Sequence, residues 1–100
     1  MTESTIFFQG HQVVDAERRK IGRISDVVYD VAGDPRWAVV DIGLLRSSHY
    51  VPVRSGYVAE SGDFVVPYPK DTVKRAPRAD RDHLVDAATE QQLCRHYELA

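Results

Sequence analysis

The sequence predicts an all-β fold: a small, partly open antiparallel β-barrel of five to six strands, followed by a C-terminal α-helix. Three observations predict it. Short runs rich in Val, Ile, Tyr, Phe and Trp recur between residues 12 and 68, each bounded by Gly, Pro, Asp or Ser. No stretch of helical period separates them, so neighbouring runs pair as a meander. The chain has 100 residues, which allows one core and is too short for a two-sheet sandwich. Curling the sheet on itself removes exposed edges.

Residues 12–15 read as a brief first strand and 16–20 as a charged loop. A long second strand covers 21–31. Its apolar phase breaks: Ile24 and Val28 share one parity, whereas Val27, Tyr29 and Val31 share the other. Side chains alternate between the faces of a strand, so a break centred on Ser25 and Asp26 predicts a bulge or strong twist there. Ala32-Gly33-Asp34-Pro35 is a turn, with glycine supplying positive φ and proline presetting its own. The third strand, 36–43, carries Trp37, Val39, Val40 and Ile42 on both faces, which predicts a central or curled position. A loop over 44–48 leads to a fourth strand over 49–54. Pro52 has no N–H to give a ladder, which places it at an edge or a bulge. Residues 57–59 and 64–67 form a last hairpin around Glu60-Ser61-Gly62-Asp63.

Beyond Tyr68 the pattern changes. Residues 69–75 read as a single helical turn that packs Val73, and 76–82 as a polar connector containing Pro77. Residues 86–98 read as a helix. Asp86 is placed to cap its N-terminus, Glu90 lies near the positive end of the helix dipole, and Arg95 and His96 lie near the negative end. Leu93 and Tyr97, four apart, share a face. That stripe is too narrow to hold an isolated helix, so the helix must dock on the barrel or on a second chain. The chain thus divides into a leader over 1–9, a barrel over 10–77, and a linker with the C-terminal helix over 78–100.

Thirteen Lys and Arg against fifteen Asp and Glu give a formal net charge of −2. Proteins that neutralise many phosphates are usually strongly basic, so this balance argues against non-specific nucleic-acid binding. One cysteine, Cys94, excludes an intramolecular disulfide and fits a reducing, cytoplasmic compartment. The first nine residues lack the basic start and apolar stretch of a secretory signal. No apolar run approaches the roughly 20 residues of a membrane helix.

The ordered series Gly10-His11-Gln12-Val13-Val14-Asp15, Ile21-Gly22-Arg23-Ile24, Asp26-Val27 and Tyr29-Asp30 resembles the opening of a PRC-barrel domain. Trp37-Ala38-Val39-Val40, Gly43, Tyr50-Val51-Pro52-Val53, Phe64-Val65-Val66-Pro67-Tyr68 and Ala76-Pro77 continue the likeness in order. Residues 93–99, with His96-Tyr97, are similar to the helix that follows the barrel in stand-alone bacterial members. The chain departs from the pattern where members often carry a glycine before the Ile-Gly pair, since Arg19 and Lys20 stand there. The Leu44-Leu45 loop is also unusually apolar. The resemblance implies a non-catalytic scaffold that contacts partner proteins and needs no cofactor. It extends to the cytoplasmic barrel of the photosynthetic reaction-centre H subunit and to the C-terminal domain of a ribosome maturation factor.

Candidate sites follow from residue chemistry. His11, His49, His83 and His96 are the natural metal ligands, but no two have ligand spacing, so no metal is expected. Asp15, Asp26, Asp30 and Asp41 are available for acid–base work or calcium. Asp15 and Asp26 fall at strand ends and turns of the family pattern and are read as structural. Cys94 precedes Arg95 and His96, yet residues i and i+2 of a helix do not face each other, which leaves no activated thiol. No nucleophile, base and orienter occur together, so no enzyme is expected. Arg18, Arg19, Lys20 and Arg23 form the best anion or RNA patch. A second basic run holds Lys74, Arg75, Arg78 and Arg81, and neither run interleaves aromatic residues for base stacking. Leu44, Leu45, Tyr57, Leu93 and Tyr97 are the partner-binding candidates, the alternative being that they complete the protein's own core. The expected function is a binding or scaffold module in the cytoplasm, forming a homodimer and meeting a further protein partner. A ribosome- or RNA-associated factor, or a barrel attached to a membrane electron-transfer complex, are the alternatives.

Overall fold

The computed structural model describes residues 10–43, 47–80 and 82–99. One sheet holds six strands: β1 (Gln12–Val14), β2 (Lys20–Tyr29), β3 (Pro35–Ile42), β4 (Ser47–Pro52), β5 (Tyr57–Val58) and β6 (Phe64–Val65). Helices α1 (Lys70–Lys74) and α2 (Ala87–His96) follow. The strand order is β4-β3-β2-β1-β6-β5.

This order forces the sheet to curl. β4 and β5 are its opposite edges, yet only residues 53–56 separate them, including a 3₁₀ turn over Val53–Ser55. That link spans at most about 18 Å. The edges of a flat six-stranded sheet lie about 24 Å apart. The two edges approach without pairing, so the barrel stays partly open.

The pairing is mixed rather than wholly antiparallel. β1 to β4 form the expected meander, but β1 pairs with β6 in parallel, Val13 opposite Phe64 and Val14 opposite Val65. The link over 53–56 carries the chain forward instead of reversing it. β5 therefore runs with β4, and β6 runs with β1.

β2 contains the bulge that its broken phase predicts. The register passes from Ile24↔Val40 to Asp26↔Val39, leaving Ser25 as the extra residue. Ile24 and Val27, three apart, consequently face the same interior. β2 ends at Tyr29, earlier than expected, because Asp30 folds back. Its Oδ1 accepts the amides of Ala32 and Asp34, each at 2.9 Å, around Gly33 at φ +88°. Gly22 is fixed by proximity: a Cβ there would collide with the Asp41 carbonyl oxygen on β3.

β3 is buried on both faces. Ala38, Val40 and Ile42 point into the curl with Ile21, Val51 and Phe64. Trp37 and Val39 point outward and join Tyr50, Ala76, Leu93 and Tyr97 in a second apolar cluster. α2 covers that outer face. Its N-cap is Asp86, whose Oδ1 accepts the Thr89 amide at 2.8 Å. α1 buries Val73 in the interior cluster. No helix among the described residues is long and apolar enough to cross a membrane.

Candidate functional site

The side chains with the most reactive chemistry are spent on holding segments together. His49 Nδ1 donates to the Ala76 carbonyl at 3.0 Å, and its Nε2 meets the Ser47 hydroxyl at 3.1 Å. His83 Nδ1 reaches Asp26 Oδ2 at 2.8 Å, fixing the connector to the β2 bulge. His96 Nε2 donates to the Thr72 carbonyl at 2.8 Å, joining α2 to α1. His11 bonds the Gly62 carbonyl, joining β1 to the last hairpin. Burial pushes the His49 imidazole below its ordinary value, and nearby Arg78 and Lys74 push it the same way against the Ala76 carbonyl.

The four aspartates serve separate local sets. Asp15 Oδ1 accepts the amides of Glu17 and Arg19 at 2.9 and 2.8 Å. Asp41 Oδ1 accepts the hydroxyls of Ser25 and Ser48 at 3.1 and 2.6 Å. Asp30 and Asp26 hold the turn and the bulge as described. Among the described residues, no group of three or more His, Cys, Asp or Glu could hold a metal ion. Cys94 Sγ lies 3.8 Å from the Arg36 guanidinium.

A further polar set, which the sequence reading did not single out, links α2 to β3. Glu90 binds Arg36 through Oε2 and accepts the Trp37 indole N–H through Oε1 at 3.1 Å. The Arg36 guanidinium also lies over the Trp37 ring, 5.2 Å from its centroid. Burial tends to raise the Glu90 carboxyl, but the hydrogen bonds from Arg36 and Trp37 hold it below the ordinary carboxylate value.

At the surface, the two edges of the sheet differ. The β4 edge is sealed by the connector: the Ala79 amide donates to the Ser48 carbonyl at 2.8 Å, and Arg78 bridges to His49. Among the described residues, the β5 edge pairs only inward, with β6. Tyr57 on it is 57% exposed.

Beside β5, the loop 15–19 and α1 border a run of hollows. A first, of about 150 Å³, lies between Ala16, Tyr57, Val65 and Pro67. A second, of about 220 Å³, is walled by Ala16, Pro67, Tyr68 and Pro69, with Asp15, Glu17 and Arg19 at its rim. It shares Asp15, Arg19 and Pro69 with a third, of about 460 Å³, lined by Lys20, Lys70, Asp71 and Lys74.

Two sets of expected site residues thus meet. Tyr57, expected as an apolar contact, and Arg19 and Lys20, expected as an anion patch, border one run of hollows. Arg18 and Arg23 stand apart from it: Arg18 is exposed at φ +70°, and Arg23 donates to the Gly10 carbonyl at 3.0 Å. Leu93 and Tyr97 lie inside the fold, where Leu93 is fully buried and the Tyr97 hydroxyl donates to the Tyr50 carbonyl at 2.6 Å. They dock α2 on its own sheet and offer no free surface. Leu44 and Leu45 lie outside the described residues. Lys70 was missed, although its spacing of four from Lys74 signals one face of a helical turn.

No curated protein matches the chain. A family model described as the PRC-barrel domain matches residues 8–73, which take in every strand and most of α1. Given that match over most of its length and a curled six-stranded sheet beneath it, the protein belongs to the PRC-barrel domain family.

Proposed function

We propose that this PRC-barrel protein is a non-catalytic protein-binding module that self-associates through the open edge of its sheet. The contrast between the two edges carries this reading. An uncovered strand edge is a liability that folded proteins seal, shorten or use. Here one edge is sealed by the connector, while the other is left with an exposed tyrosine beside it. Aromatic side chains with a polar tip are favoured at interfaces, and addition of a strand to a free edge is a recurring mode of recognition. A two-fold pair of β5 edges would bring Tyr57 of each copy to the same patch. The commitment of all four histidines to segment-holding bonds supports the absence of catalysis.

Sedimentation equilibrium over a rising protein concentration tests the proposal. A two-copy mass is expected for the wild type and a single-copy mass for Tyr57→Asp, with the circular dichroism unchanged. A single-copy wild type at every concentration would end the claim of self-association.

A further inference from the structure

We propose that the second and third hollows together take an extended acidic segment of a partner protein, with one apolar side chain in the smaller and carboxylates over the larger. This rests on the reading of the chain as a protein-binding module, but not on Tyr57 or the β5 edge.

The charge distribution selects the ligand. Arg19, Lys20, Lys70 and Lys74 line the larger hollow, opposed by Asp15 and Asp71. Asp15 is turned to the loop amides, and Asp71 is paired with Arg75 at 3.1 Å. No ion pair among the described residues engages Lys20, Lys70 or Lys74. Among the described residues, the ion pair of Arg19 is with Glu17, at 2.9 Å, with both side chains mostly exposed, a pairing that holds little energy. A chain of net charge −2 therefore presents a locally cationic recess.

The adjoining walls decide between anions. Ala16, Pro67 and Pro69 make the smaller hollow an apolar slot. At about 220 Å³ it is below the roughly 300–1,000 Å³ of small-molecule sites and suits a single side chain. Nucleic acid fits less well. Base stacking needs a free aromatic face, and the aromatic side chain lining the smaller hollow among the described residues, Tyr68, is occupied. Its hydroxyl donates to Ser55 at 2.9 Å, and its ring packs on Tyr97 at 4.6 Å. A peptide carrying one apolar residue followed by carboxylates satisfies both hollows at once.

Fluorescence anisotropy with the full chain tests this. The probe is a labelled peptide of one phenylalanine followed by a run of glutamates. Controls replace the glutamates with glutamines or the phenylalanine with glycine. The glutamate peptide is expected to bind, each control to bind about tenfold more weakly, and added salt to weaken binding. The doubly reversed Lys70→Glu, Lys74→Glu protein, altered only at exposed positions, should lose about tenfold with its melting temperature kept. Equal binding of the glutamate and glutamine peptides, unchanged affinity of the variant, or tighter binding of a single-stranded RNA would overturn the inference. If the peptide fails while a two-copy mass persists, only this inference falls. If both fail, the protein-binding reading falls with it.

Discussion

The indole N–H of Trp37 donates to Glu90 Oε1 at 3.1 Å while the other carboxylate oxygen holds Arg36, so one side chain of α2 grips two successive residues of β3. Glu90→Ala should destabilise the fold by about 1–3 kcal/mol, since it strands a buried indole donor and a guanidinium. Glu90→Gln, which can still accept from Trp37, should cost less. The folded carboxyl titrates below its ordinary value of 4.5, so its contribution is complete above that value and is lost as pH falls through the folded pKa. Urea midpoints measured from neutral to acid pH should fall less steeply for Glu90→Gln than for the wild type.

Leu93 is fully buried against Trp37 and Tyr50. Leu93→Ala should cost about 2–5 kcal/mol through lost transfer energy and the cavity left behind. Leu93→Asp should cost more, by burying an unpaired charge. Because the contact lies within one chain, thermal melts at two protein concentrations should show the same loss. A loss seen only on dilution would place the helix on a second copy.

His49 is buried, and the Ala76 carbonyl, which can only accept, requires the proton on Nδ1. Its folded pKa lies below the ordinary 6.5, so the unfolded chain binds a proton first as pH falls. Its favourable share of stability is present above 6.5 and is lost as pH falls below it. Chemical denaturation from pH 8 to pH 5 should show this slope in the wild type and a smaller one in His49→Gln.

Arg18 sits at φ +70°, a region costly for a residue with a Cβ. Arg18→Gly should therefore raise stability by about 0.5–1 kcal/mol, whereas Arg18→Ala should not. Differential scanning calorimetry of the two variants separates relief of the backbone from loss of the charge.

Features set by neighbouring residues were legible in the sequence. The phase break at Ser25 and Asp26 marked the bulge, Asp86 marked the helix start, and the placement of Val73 inside its turn held. Pro52 marked an edge strand. What depends on distant partners was not legible. The parallel pairing of Val13 with Phe64 joins segments far apart in the chain, and nothing local to either one signals it. The sequence also left open which surface Leu93 and Tyr97 cover, because an apolar helical stripe looks the same whether it meets its own sheet or another copy. The hollows escaped notice because loop 15–19 and α1, which border them together, lie far apart in the chain.

The segment that seals β4 also has a bearing on synthesis. Arg78 and Ala79 follow all six strands in the chain, and α2 follows them. A ribosome therefore releases the complete sheet before its cover exists, and for that interval the β4 backbone and the Trp37 face stand bare. Nascent chains in this state are prone to stick to one another. A stop codon or protease cut just beyond the matched barrel would make that transient exposure permanent.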